Sequence, residues 1–386
     1  MITITTTEQL AEFCTKAAQF PFVTVDTEFL RERTYYAQLC LIQLAVPDDG
    51  DGAAVLVDTL SEGLDLAPLY ELFVNPEVVK VFHAARQDLE IFFVDKGIIP
   101  IPLFDTQVAA MVCGYGEQVG YETLVRSICN ASLDKSSRFT DWSRRPLSNK
   151  QKDYALADVT HLRDIYLKLA TQLKNTGRES WVSEELAVLN APETYVVEPA
   201  DAWKRVKVRS TSPRFLAVVR ELAKLREEMA KDRNIPRGRV FKDDVILELA
   251  ATRPTTAEDM GRSRLLQRDA RKGPVSEQIL QAIKHAMSLD SADLPVAPVA
   301  APRKTGSEGL TELLRVLLKA RSNEAGVAQK LIATSADIDA IASRDAAALQ
   351  ALRGWRYEVF GKDAERLTNG EIGLAVGPSG VVTVDL

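Results

Sequence analysis

The spacing of hydrophobic residues changes near residue 175, and that change limits the fold more than any other feature of the chain. Upstream, short β-branched runs alternate with amphipathic stretches. Residues 22–26, 39–46, 53–58 and 78–82 read as buried strands. Helix signatures lie between and after them. Thr6 with Gln9 makes a capping box opening a helix through Ala18, Asp105 caps another, and Ser148 with Gln151 opens a long helix towards Leu173. Several strands in succession, then strands alternating with helices, predict a mixed sheet flanked by helices, an α/β domain. Downstream, residues 175–202 read as a connector. After Ser212-Pro213, a cap with proline in the first turn, the spacing is helical: Phe215, Val218, Val219, Leu222, Leu225. Residues 294–305, with Pro295, Pro298 and Pro302 among small residues, read as a linker before a second helical block over 308–360. Residues 370–386 read as a hairpin or a loose tail. The expected layout is an α/β domain over 1–175, a connector over 176–207, an all-α domain over 208–290, a linker over 291–306 and a second helical domain over 307–386.

Composition narrows the class. Of 386 residues, 46% are hydrophobic and 26% charged, as in ordinary globular proteins. No apolar run reaches the roughly 18 residues of a membrane span. The opening MITITTTEQL lacks the basic region and apolar core of a secretory signal. Cys14, Cys40, Cys113 and Cys129 form no C-x-x-C pair, which argues against structural zinc and fits a reducing cytoplasm. The net charge of -6 is unevenly spread. Residues 1–175 hold 16 Lys/Arg against 24 Asp/Glu, whereas residues 201–290 hold 20 against 13. A basic middle segment in an acidic chain suggests a surface for a polyanion, with a solvated helical face as the plain alternative.

Three places carry chemistry. In Asp26-Thr27-Glu28 the two carboxylates point to one side of a strand, because residues i and i+2 share a face. Side by side they repel, which is poor packing and good cation binding. Tyr154 and Asp158, four apart on the expected helix, share a face within the apolar run Tyr154-Ala-Leu-Ala-Asp158, where a carboxylate needs a partner. Asp88 follows a buried strand at a helix start, where capping alone would favour it. Each signal taken singly is weak, and their combination is what counts. His83, at the end of a buried strand, reads first as a structural histidine.

The segments Val25-Asp-Thr-Glu-Phe-Leu-Arg31, Lys80-Val-Phe-His-Ala-Ala-Arg-Gln-Asp88-Leu-Glu and Asp141-Trp-Ser-Arg-Arg-Pro-Leu-Ser148…Tyr154-Ala-Leu-Ala-Asp158 occur in that order. They resemble the three motifs of the DEDD exonuclease superfamily in its tyrosine-bearing branch. Thr34-Tyr-Tyr-Ala-Gln-Leu-Cys-Leu-Ile-Gln43 and Trp142-Ser-Arg-Arg-Pro146 are similar to the ribonuclease D family in particular. The resemblance covers about residues 1–170. Residues 208–288, through Pro213-Arg-Phe and Arg233-Asn-Ile-Pro-Arg-Gly-Arg-Val-Phe-Lys-Asp243, resemble the helical HRDC domain, which usually binds nucleic acid.

The resemblance implies a ribonuclease H-like α/β nuclease domain followed by all-α HRDC domains, the second and more divergent one over 307–386. It implies a monomeric 3′→5′ exonuclease acting on RNA with a free 3′ end, such as transfer RNA precursors. Asp26, Glu28, Asp88 and Asp158 are then expected to hold two divalent cations, Mg²⁺ or Mn²⁺, while Tyr154 orients the attacking water. Thr27, Phe29, Leu30 and His83 are expected to meet the terminal nucleotide, and Arg144, Arg145 and Lys152 its backbone phosphates. Two other readings remain: a DNA 3′→5′ exonuclease, and a non-catalytic nucleic-acid-binding protein. The presence of all four carboxylates weighs against the second.

Overall fold

The computed structural model describes residues 1–134, 140–210, 212–266, 271, 273–296, 308–344, 349–378 and 380–386. Its first half is built on a six-stranded sheet in the order β1-β4-β3-β2-β5-β6. These are β1 Ile2–Ile4, β2 Phe22–Leu30, β3 Gln38–Ala45, β4 Ala54–Val57, β5 Val79–Phe82 and β6 Leu103–Asp105. The central β2, β3 and β4 run antiparallel, while β1 on β4, β5 on β2 and β6 on β5 run parallel. The sheet is mixed, as the order of strand signals predicts. The sequence reading missed β1 and β6, each three residues long, because so short a segment has no measurable period. It also ended β2 at residue 26, where the apolar run stops. The strand continues to Leu30 because β3 pairs with it all the way, with a bulge between Glu28 and Phe29.

Side-chain caps set three of the expected helix starts, at Thr6, Asp105 and Ser148. Ser212, before the helix Pro213–Asp232, makes no side-chain cap hydrogen bond, and proline in the first turn is the only start signal there. Ser148 caps the 28-residue helix Asn149–Thr176 through a complete capping box with Gln151. At Thr7–Ala17 the Thr6 side chain accepts from Gln9 N, but the Gln9 side chain accepts from Thr5 N instead of closing the box. The long helix crosses the sheet beside β2, where the Thr24 hydroxyl donates to Val159 O at 2.8 Å.

The segment read as a connector contains the helix Glu179–Asn190. Its Val182, Leu186 and Leu189, spaced for one helical face, join the same core as the sheet, as does Tyr195. A second core forms around Leu222, Ile246 and Ile279 of the helices Pro213–Asp232, Asp243–Thr252 and Pro274–Ser288. A third involves Leu314, Ile338, Trp355 and Phe360. The C-terminal strands β7 Ile372–Gly377 and β8 Gly380–Asp385 pair as an antiparallel hairpin. Residues 297–306 of the expected linker lie outside the described residues.

Both helical blocks meet the nuclease half through specific contacts. Asn234 Oδ1 accepts from the backbone N–H of Tyr35 and of Tyr36, both at 3.1 Å, and the Tyr35 hydroxyl donates to Glu227. The last block stacks Trp355 on Trp181 at 4.5 Å, and its Ala328 N donates to Met111 O. Gly114, at φ +84, faces Gly326 so closely that a Cβ would lie 2.5 Å from its carbonyl oxygen.

Candidate active site

The β2 strand presents Asp26 and Glu28 towards the long helix, and the helix answers with Asp158. One oxygen from each of these three carboxylates lies within 4.8 Å of the others. Tyr154 stands one turn before Asp158 on the same helix, its ring 6.1 Å from that of Trp142. Together they line a cleft of about 470 Å³ that also takes in Phe29, His83, Gln87, Asp88 and Tyr121.

Asp88 sits in the first turn of the helix Arg86–Lys96 and is only 7% exposed. The turn before it is pinned by Asp105, whose carboxylate accepts from Ala84 N and Ala85 N at 3.1 and 2.8 Å. Asp88 accepts a short hydrogen bond from the Thr27 hydroxyl and stays outside the trio of converging oxygens. Its influence is electrostatic all the same. Burial raises Asp26 to about 7. Burial, then the charges of Asp26, Asp158 and Asp88, raise Glu28 to about 10. Burial, then Asp26, holds Asp88 well above the usual carboxylate range. Hard carboxylate oxygens gathered this closely, and reluctant to ionise without a counter-charge, fit a divalent cation that prefers oxygen ligands.

The structure treats the expected substrate contacts unequally. Phe29 and His83 line the cleft, with His83 Nδ1 2.9 Å from Thr106 Oγ1 and its ring 5.4 Å from that of Tyr121. Thr27 is buried and its hydroxyl is committed to Asp88. Leu30 packs against the apolar layer that contains Trp142 and Leu147. Arg144 is exposed, 3.5 Å from Asp141, and Lys152 is partly buried two residues before Tyr154.

Arg145 corrects the sequence expectation. A guanidinium has five N–H donors. Here Nε and Nη2 grip Asp58 at 2.7 and 2.6 Å, Nη2 also donates to Cys40 O, and Nη1 donates to Trp142 O and Arg144 O. No donor is left for a phosphate, so Arg145 braces the segment before the long helix. The sequence reading also missed Gln87 and Tyr121 as cleft residues. Gln87 adjoins Asp88 and was there to be found. Tyr121 lies far from every acidic motif and carries no local signal; its hydroxyl donates to Ala157 O at 2.9 Å, beside Asp158.

Known proteins resemble this chain in sequence and fold. Residues 1–174 match a family model described as 3′-5′ exonuclease, and residues 215–283 match the HRDC domain. Fold and cleft therefore define a 3′-5′ exonuclease carrying a helical accessory domain. The chain is 59% identical over 384 residues to ribonuclease D of Jannaschia sp. (strain CCS1), covering 100% of this chain and 99% of the relative. It is 49% identical over 383 residues to ribonuclease D of Nitrobacter hamburgensis, covering 99% of each. The crystal structure of Escherichia coli RNase D, an exoribonuclease involved in structured RNA processing, superposes with a TM-score of 0.81 at 29% identity, covering 95% of this chain and 98% of that one. The chain belongs to the ribonuclease D family. It is a metal-using 3′-5′ exoribonuclease. Among the described residues no helix is long and apolar enough to cross a membrane.

Proposed function

We propose that this enzyme trims the 3′ ends of structured RNAs, transfer RNA precursors among them, with two divalent cations, Mg²⁺ or Mn²⁺, and that it works as a monomer in the cytoplasm. The observation that carries this reading is the approach of Asp26, Glu28 and Asp158 to within 4.8 Å. These three, with the buried Asp88 beside them, would hold the cations. Such cations polarise a phosphodiester and make a water nucleophilic near neutral pH. The chain's own side chains do the rest. Tyr154 orients the attacking water through its hydroxyl. Phe29 lies against the terminal base, and His83 borders the same nucleotide. Arg144 and Lys152 hold phosphates upstream of the scissile bond.

Structured RNA as substrate is supported by the likeness to the Escherichia coli exoribonuclease and by the basic middle block. In that block Arg205, Lys207, Arg209, Arg233 and Arg239 are exposed, whereas Arg237 is drawn into an ion pair with Glu227 at 3.0 Å.

The test is a time course on 5′-labelled RNA and on a matched DNA strand, with Mg²⁺, Mn²⁺ or EDTA, and with a transfer RNA precursor as a further substrate. A ladder shrinking from the RNA 3′ end, silent in EDTA, is expected. Undiminished cleavage in EDTA, or DNA degraded as fast as RNA, sinks the reading. Light scattering checks the monomer.

A further inference from the structure

Gln43 lies in β3 directly opposite Asp26 in the β2–β3 register. Opposed residues of an antiparallel pair put their side chains on one face, with Cβ atoms about 4.5–5.5 Å apart. That face is the one the long helix covers. Thr24, two residues before Asp26, donates to Val159 O, and Leu41 and Leu56, which flank Gln43 along β3 and across on β4, pack with Ala155.

Gln43 is 0% exposed, and neither its Oε1 nor its Nε2 has a hydrogen-bonding partner among the described residues. Buried side-chain amides are nearly always satisfied, so an unsatisfied one calls for a reason. The neighbours Leu41, Ile42, Leu44 and Leu56 are all apolar and fully buried. Packing alone would be served better by another leucine. The acceptor directly opposite Gln43 on this face is the carboxylate of Asp26, which can only accept when ionised, while the carboxamide nitrogen can only donate.

We infer that Gln43 is a positioning residue for the catalytic centre: its carboxamide nitrogen, which makes no direct hydrogen bond to Asp26, donates through one buried water to the Asp26 carboxylate and holds it in the orientation a divalent cation requires. This rests on the reading of Asp26 as a cation ligand. Hydrogen bonds to a ligating carboxylate fix its direction, and losing such a partner weakens metal binding by about 10–100-fold.

Calorimetric titration of Mn²⁺ into the full-length chain without RNA tests it, comparing wild type, Gln43→Met and Asp26→Asn. Methionine removes both polar atoms and keeps an unbranched side chain. Gln43→Met is expected to weaken Mn²⁺ binding by about 10–100-fold. Its melting temperature in EDTA should stay close to that of wild type, since the unpartnered Oε1 is removed together with the donor. Raising Mn²⁺ should restore its cleavage of a short RNA with an unaltered KM. Mn²⁺ binding lost in Asp26→Asn but kept within about twofold in folded Gln43→Met overturns this inference alone. Binding that survives Asp26→Asn overturns the metal reading and this inference with it. A crystal structure of the wild-type chain with Mn²⁺ decides the matter even if the variant fails to fold. Gln43 Nε2 within about 3.2 Å of a water shared with the Asp26 carboxylate supports the inference. Any other partner overturns it.

Discussion

Arg356 is a buried charge and Asp26 a half-buried one, and they are accommodated in opposite ways. Arg356, 4% exposed, reaches Glu185 at 2.5 Å and Glu184 at 3.3 Å and donates to Leu331 O at 2.7 Å, beside the Trp181–Trp355 stack. Opposite charges meet there, although burial still leaves Glu185 above the usual carboxylate range. At the cleft, Asp26, Glu28 and Asp158 converge as like charges, and burial lifts the first two. The junction neutralises its own charge, whereas Asp26 and Glu28 at the cleft meet no cation among the described residues and are left to be neutralised by what binds. Poorly solvated carboxylates that face other carboxylates and no cation among the described residues mark function, because structural selection alone would remove them.

The largest effect should come from neutralising one cleft carboxylate. Asp26→Asn or Asp158→Asn is expected to cut turnover by about 10³-fold or more, some 4 kcal/mol of transition-state stabilisation at about 1.4 kcal/mol per decade. The metal-free protein should melt no lower than wild type, because repulsion has fallen. Near-normal turnover at saturating Mg²⁺ would end the comparison.

Tyr154→Phe should slow the single-turnover rate by about 10²-fold, the low end for an orienting or acid–base group. RNA affinity should hold, since the ring keeps its place near Trp142. A lost affinity at an unchanged rate would make Tyr154 a binding residue only.

At the junction the expected loss is stability instead of catalysis. Arg356→Ala leaves Glu184 and Glu185 facing a cavity and should cost about 3 kcal/mol, read from urea titration. Cleavage of a short RNA should stay within about twofold of wild type per folded molecule.

A pH scan separates the clusters without mutation. A carboxyl raised by folding is stabilising while protonated, so its contribution is present below the unfolded value and is lost as pH rises through the folded one. For Asp26 that window runs from its ordinary value of 3.8 up to about 7. The metal-free melting temperature should fall by a few degrees, roughly the response to 1–2 kcal/mol, across it. Mn²⁺ should restore more at pH 8 than at pH 5.5. A flat profile would mean that the cleft carries its own counter-charge.

The smallest effect concerns exposed cations. Lys207→Gln with Arg233→Gln should reduce the salt slope of binding to a transfer RNA precursor by about 0.7–0.9 for each phosphate no longer neutralised. Unaltered slopes would show a merely solvated surface.

Much of this was legible in the sequence because it is local. A strand with Asp26 and Glu28 two apart needs only its own period to put both carboxylates on one face, and a capped helix needs only its own to align Tyr154 with Asp158. The shift to helical spacing after Ser212-Pro213 separated the domain types in the same way. The helix Glu179–Asn190 was overlooked because its apolar face, Val182, Leu186 and Leu189, is diluted by acidic residues, and its burial depends on a sheet far upstream in the chain.

The sequence by itself determined which chemistry was available: four carboxylates, a tyrosine, and the elements that carry them. Only the tertiary structure decided which of them meet and which are already spent. Asp158 joins Asp26 and Glu28 while Asp88 turns to Thr27, and Arg145 gives all five donors to Asp58 and nearby carbonyls when sequence alone made it a phosphate ligand. Gln43 is set opposite Asp26, and its amide has no hydrogen-bond partner among the described residues. The physical reason is range. Period and capping act within a few residues, whereas the partner of a buried charge or amide is chosen by whatever the fold brings within about 3 Å of it.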